Sequence, residues 1–160
     1  MPTLAGVPLA GKEAIAHVWP EGVLIDVSAS ENWPSTFVVG PSRVVSSEVA
    51  ELIKDVVPQS EFELLPVEVL FHGERRAGYS VLRPLCFLDA LDREASVFTM
   101  SYGVIDQVDK VVLNWEIVGN ARLFMLDSLT PVVCVSDLLA AQFARFDGVW
   151  LVEPKDWKRF

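Results

Sequence analysis

Two runs of strand-forming residues, Phe62 to Phe71 and Tyr79 to Leu88, flank the polar stretch His72-Gly73-Glu74-Arg75-Arg76-Ala77-Gly78. β-Branched and aromatic side chains suit a pleated, half-buried surface, and the two glycines supply the backbone conformations a reversal needs. The stretch therefore predicts a long β-hairpin, around which the rest of the chain has to pack. Just before it, Val49, Leu52, Ile53 and Val56 recur at helical spacing, Ser46 or Ser47 is available as N-cap, and Pro58 stops the run. This pattern predicts an amphipathic helix over Ser47 to Val57.

Beyond the hairpin, strands are expected at Val104 to Leu113 and Ala121 to Leu126, where apolar and polar residues alternate. A second helix is expected from Ser136, with Asp137 in its first turn, Leu139, Phe143 and Phe146 on one face, and Gly148 at its end. Val149-Trp150-Leu151-Val152 then reads as a strand with Trp150 in the core. The stretch Val44-Val45-Ser46-Ser47, helix, Phe62-Glu63-Leu64-Leu65 thus resembles Val133-Cys134-Val135-Ser136, helix, Trp150-Leu151-Val152, a repeated strand–helix–strand unit. The first forty residues, punctuated by Pro2, Pro8, Pro20 and Pro34 and by Gly6, Gly11, Gly22 and Gly40, permit only short elements such as Val23 to Val27. Together these readings give an α+β (mixed α/β) fold with an antiparallel-rich sheet, a long central hairpin and two amphipathic helices. It forms a single domain over 1–160, with a loop-rich lead-in over 1–40 and the main body over 41–160.

A hydrophobic fraction of 51% separates the chain from disordered sequences. Its net charge of -9 repels phosphate backbones and anionic lipid and attracts cationic partners, so neither nucleic acid nor membrane is an expected partner; many proteins are acidic simply for solubility, and charge alone selects no partner. No uncharged stretch approaches the ~20 apolar residues a membrane-spanning helix needs, and the N-terminal residues lack the basic start of a signal peptide. A soluble, cytoplasmic protein is expected. Cys86 and Cys134 lie in apolar runs and read as inert core thiols.

Catalytic signatures are not found. The two histidines, His17 and His72, have no partner at motif spacing, and paired-cysteine zinc spacing, phosphate loops and a serine nucleophile elbow are all missing. The expectation is therefore a protein that is not an enzyme and takes no cofactor. The sharpest chemical alternative is the cluster Asp89-Ala90-Leu91-Asp92-Arg93-Glu94, whose three carboxylates could hold a hard cation. Equally, Asp92 can cap a turn and Arg93 can neutralise a neighbour without any ligand. Trp33 and Trp115, each in a loop-like setting, are candidate exposed anchors for a partner. The tail Pro154 to Phe160, with three basic residues, can fold back on the acidic body or mediate self-association.

The run Gly78-Tyr79-Ser80-Val81-Leu82-Arg83-Pro84-Leu85-Cys86-Phe87-Leu88-Asp89-Ala90-Leu91-Asp92-Arg93-Glu94-Ala95-Ser96-Val97-Phe98 resembles the central signature of bacterial immunity proteins that neutralise polymorphic toxins, in their groups eleven and forty-three. The likeness continues through Val111 to Leu113, Arg122 to Phe124, Val133 to Leu139 and Gly148 to Val152, about the C-terminal two-thirds of the chain. The resemblance implies a cytoplasmic antitoxin that binds a cognate toxin domain and blocks it, and it carries no catalytic residues. On this reading Asp89, Asp92, Glu94, Trp33 and Trp115 are the expected contact residues. Two other readings stand beside it: a small metal-dependent enzyme using Asp89, Asp92 and Glu94, and a self-associating module in which the repeated unit builds a homodimer.

Overall fold

In a computed structural model of the chain, residues 3–4, 6–9, 11–27, 32–129 and 132–159 are described; Pro2 of the lead-in and Phe160 of the tail lie outside them. Short strands β1 (Thr3–Leu4) and β2 (Val7–Pro8) pair with each other, and β3 (Leu24–Asp26), β4 (Thr36–Val39) and β5 (Ser42–Ser46) follow. Helix α1 (Ser47–Val56) leads into the hairpin of β6 (Phe62–Phe71) and β7 (Glu74–Pro84). The chain then forms β8 (Phe87–Leu88), β9 (Val97–Ser101), β10 (Val104–Lys110), the single-turn helix α2 (Trp115–Val118), β11 (Leu123–Leu126), β12 (Val133–Val135) and α3 (Asp137–Phe143). The fold is α+β, with an antiparallel-rich sheet, as the pattern predicts.

Five strands order as β3-β6-β7-β5-β4, antiparallel except for β3 beside β6. Because β5 and β6 both run antiparallel to β7, α1 connects two parallel strands that lie on either side of it. The pleat sends alternate residues to opposite faces. On one face Val45, Leu82 and Phe62 pack against Val49, Leu52 and Ile53 of α1 and Leu139 and Phe143 of α3. On the other, Val44, Leu65, Val67, Val69 and Val81 meet Val23 and Ile25, and are covered by Leu4, Leu9, Ile15 and Trp19 of the lead-in. The lead-in is thus the lid on the second face of the sheet.

A buried ion pair holds that lid. Glu63 and Arg83 are cross-strand partners on the covered face, 2.6 Å apart and almost wholly withdrawn from water. Arg83 also donates to the carbonyls of Leu9 (3.2 Å), Gly11 (2.7 Å) and Glu13 (2.5 Å), and Glu63 accepts the N–H groups of Ile15 and Ala16 at 3.0 Å. Every polar atom of the pair is therefore spent on a lead-in whose turns and loops leave their own backbone groups unpaired.

A second core lies on the C-terminal side. Ala90, Leu91, Ile105, Val108, Leu113, Val118, Phe124, Leu126 and Leu129 pack together, with Trp157 against them. Its sheet orders β12-β11-β8, and β9 and β10 form a separate hairpin. β11 joins the two cores, sending Leu123 into the first and Phe124 and Leu126 into the second. No helix among the described residues is long and apolar enough to cross a membrane.

Several boundaries differ from expectation for physical reasons. The hairpin turn is only His72-Gly73, both at positive φ, and β7 therefore starts at Glu74 rather than Tyr79. Gly78, at φ 90°, sits inside β7 where the register with β6 shifts, a bulge rather than a turn. The expected strand Tyr79 to Leu88 is two: the chain leaves the first sheet after Pro84 and joins β11 at Phe87. Val104 to Leu113 ends at Lys110, and it pairs with an unforeseen partner, β9. Helix α3 stops at Phe143, short of Gly148.

The largest correction concerns Val149 to Val152, which is no strand, and Trp150, which is 86% exposed rather than core. Strand character in a side-chain pattern becomes a strand only where the segment pairs with a sheet edge, and residues 149–152 pair with none. Gly148, at φ 78°, instead brings its backbone against edge strand β4: a Cβ there would lie 2.5 Å from the carbonyl oxygen of Thr36. The strand–helix–strand unit is complete around α1 and lacks its last strand after α3.

Arg83→Met strands the Glu63 carboxylate in the core and removes the donor from three lead-in carbonyls, so it should lower the unfolding free energy by about 3–5 kcal/mol in urea denaturation. Glu63→Gln with Arg83→Met should recover part of that loss, because the amide still accepts the lead-in N–H groups without a buried charge. Equal losses in the two variants would show that the charge is not what costs.

Candidate functional site

The segment Asp89 to Glu94 folds as a tight corner laid against residues 112–114. Leu91 bridges Leu113, Asp92 N–H donates to the Val112 carbonyl at 2.9 Å, and Asn114 N–H donates to that of Ala90 at 2.8 Å. Ser96 clamps the same place from the other end, its hydroxyl accepting Val112 N–H at 2.9 Å and donating to the Val112 carbonyl at 3.2 Å. Asn114 caps α2 by accepting Glu116 N–H at 3.1 Å. Trp115 follows at once, and the corner thereby fixes where it points into solvent.

Three of the expected contact residues, Asp89, Asp92 and Glu94, therefore share one corner with Trp115, which is 67% exposed. Their roles differ. Asp92 is occupied structurally, its Oδ1 accepting the N–H groups of Glu94 and Ala95 at 3.0 Å, the turn-capping use expected of an aspartate there. Asp89 lies 3.9 Å from Arg93 in an exposed i,i+4 pair, which contributes little. Glu94 is exposed. Among the described residues no group of three histidine, cysteine, aspartate or glutamate side chains is arranged to hold a metal ion.

Trp33 lies elsewhere. It is half-buried on the far end of the β6–β7 hairpin, its ring 5.0 Å from Phe71 and 6.3 Å from Tyr79, with the Arg76 guanidinium 3.9 Å over its face. Its ring is engaged in the sheet's own packing.

The corner continues into the hairpin of β9 and β10, which sequence reasoning missed. Val97, Met100, Tyr102 and Val104 are exposed on it, and Ile117 is exposed on α2 beside Trp115. The signal lay in Tyr102-Gly103, a turn dipeptide between two alternating apolar stretches. Both residues have positive φ, 50° and 80°, as a two-residue type I′ hairpin turn requires. Glycine adopts this freely; a tyrosine there is strained by about 1–3 kcal/mol. Register shifts leave Asp106 and Asp109 as the extra residues of two bulges, both exposed. Over residues 89–117 the carboxylates of Asp89, Asp92, Glu94, Asp106, Asp109 and Glu116 outnumber the cations Arg93 and Lys110. The basic tail folds back here, Arg159 exchanging backbone hydrogen bonds of 2.9 and 3.0 Å with Val108 on the edge of β10 away from β9.

Neither cysteine has the environment of a nucleophile. Burial pushes the Cys134 thiol up to about 11, and burial, with the nearby Glu61 carboxylate, raises that of Cys86, so both thiols are protonated at neutral pH. His17 lies in the lead-in and His72 at the β6–β7 turn.

Asp92→Ala should lower stability by about 1 kcal/mol, the value of its lost hydrogen bonds, and Glu94→Ala by less than about 0.5 kcal/mol. Millimolar magnesium, manganese or calcium should leave the thermal midpoint unmoved; a rise of several degrees would mean that the corner binds metal. No known protein family matches this chain, and no curated protein is significantly similar to it.

Proposed function

We propose that this protein acts by binding another protein, as an antitoxin of the immunity type that holds a basic toxin domain in a one-to-one complex and blocks it in the cytoplasm. The observation that supports this reading is the set of exposed apolar side chains on this side of the fold, Trp115 and Ile117 on α2 at the hydrogen-bonded corner and Val97, Met100, Tyr102 and Val104 on the adjoining hairpin, among a surplus of carboxylates. Aromatic anchors dominate binding energy when they are presented rigidly, and Trp115 is held at the start of α2 by the hydrogen-bonded corner. The resemblance of Gly78 to Phe98 to immunity proteins supports the same reading, since that run ends in this corner and in β9. The surplus of negative charge adds long-range steering toward a cationic partner.

Affinity capture of the tagged protein from the cells that make it, at low and at high salt, tests the proposal. The expected result is a single stoichiometric partner with a basic domain, bound more slowly at high salt as screening removes the steering. Trp115→Ala should weaken that complex by about tenfold or more, the effect of a hot-spot truncation. Recovery of the chain alone at both salt concentrations, or only of further copies of itself, would sink the reading.

A further inference from the structure

Tyr102 is the least self-serving residue in the fold. Its side chain is wholly in solvent, its backbone is in the left-handed region at φ 50°, and it stands at the tip of the hairpin of β9 and β10. The other hairpin supplies the contrast. His72-Gly73 makes the same kind of turn, with φ 47° and 84°, but the His72 ring packs edge-on against Phe71 at 4.3 Å and so recovers contact from its position. Asparagine, aspartate or glycine would make the Tyr102 turn more easily, and any of them would expose less apolar surface. Among the described residues none covers the Tyr102 side chain.

We infer that Tyr102 is the insertion point of this protein: its ring enters a pocket on a protein partner whose rim carries arginine or lysine. The inference rests on the partner-binding reading above and names the contact that reading leaves open. The chemistry of the occupant follows from the neighbours. Met100 and Val104, beside the tip, are exposed and apolar, and suit the wall of a pocket. The charge nearest the tip on either strand is the exposed carboxylate of Asp106; Asp109 and Lys110 lie further along β10, where Arg159 of the tail is bound to Val108. An exposed tyrosine face with a carboxylate behind it attracts a guanidinium or ammonium group both through the ring and through charge. A two-stranded hairpin is narrow enough to reach into a concave site that the body of the protein could not enter.

The test separates this contact from the broader reading. A photo-reactive benzoylphenylalanine is placed at position 102, or at Trp150 as an exposed aromatic on another surface, in the full chain and in the cells that make it; cross-linked peptides are then sequenced. The expected result is a cross-link from position 102 to one other protein through an arginine- or lysine-bearing peptide. Tyr102→Asn should then weaken binding to that purified protein by at least about tenfold, while its thermal midpoint stays the same or rises. A lowered midpoint would show that Tyr102 serves the fold, and would overturn the inference. So would cross-linking to a second copy of this chain or to an acidic peptide. Capture of a partner through position 150 and not 102 overturns the inference and leaves the immunity-type reading intact, whereas no cross-link at either position and no co-purifying protein removes both.

Discussion

The Glu63–Arg83 pair is the interaction on which the arrangement of the first sheet depends. A buried ion pair gains little net stability, because stripping water from two charges offsets most of their attraction. What it controls is placement. With Glu63 accepting from residues 15 and 16 and Arg83 donating to residues 9, 11 and 13, the lead-in has one position in which all of these groups are satisfied. The apolar contacts of Leu4, Leu9, Ile15 and Trp19 then complete a core whose geometry the charges have already decided.

A second carboxylate does for the junction of the two cores what Glu63 does for the lead-in. Glu61 accepts the N–H groups of Arg122 and Leu123 at 2.9 Å, and its carbonyl accepts those of Leu85 and, more loosely, Cys86. Arg122 in turn donates to the Val56 carbonyl at the end of α1. The exit of the chain from the first sheet after β7 and its entry into β11 are thus tied to one residue and, through Arg122, to the end of α1. The corner that carries Trp115 and the β9–β10 hairpin inherits its orientation from that knot, since β11 and α2 are held on the same core.

The parts of this architecture that were legible in the sequence are those decided by local chemistry. The α1 pattern of Val49, Leu52 and Ile53, the serine before each long helix and the strand-forming run of β6 all act within a few residues, and the helix start and the first strand of the hairpin are where they predict. Ser136 caps as expected, accepting Leu139 N–H, whereas Ser46 stands at the N-cap of α1 without a capping bond. What could not be read is what distant residues decide. Whether Val149 to Val152 becomes a strand depends on an edge elsewhere, and whether Arg83 is a surface cation or a buried staple depends on a lead-in seventy residues away. For the site, the acidic run and Trp115 were visible as residue types and are brought together by a bridge between Leu91 and Leu113. The hairpin that completes the surface was hidden in an uncharged stretch whose only mark was Tyr102-Gly103.

The distance along the chain between the lead-in and its staple also sets an order of events during synthesis. Residues 9 to 16 leave the ribosome before Glu63 and Arg83 exist, and at about 5–20 residues per second they wait several seconds for their partners. Through that interval Leu9, Ile15 and Trp19 are apolar side chains without a surface to cover, and after the β6–β7 hairpin forms its second face is bare until they return. Until the β6–β7 hairpin closes, those side chains are open to misassociation, and the buried staple can form only once both of its strands have been made.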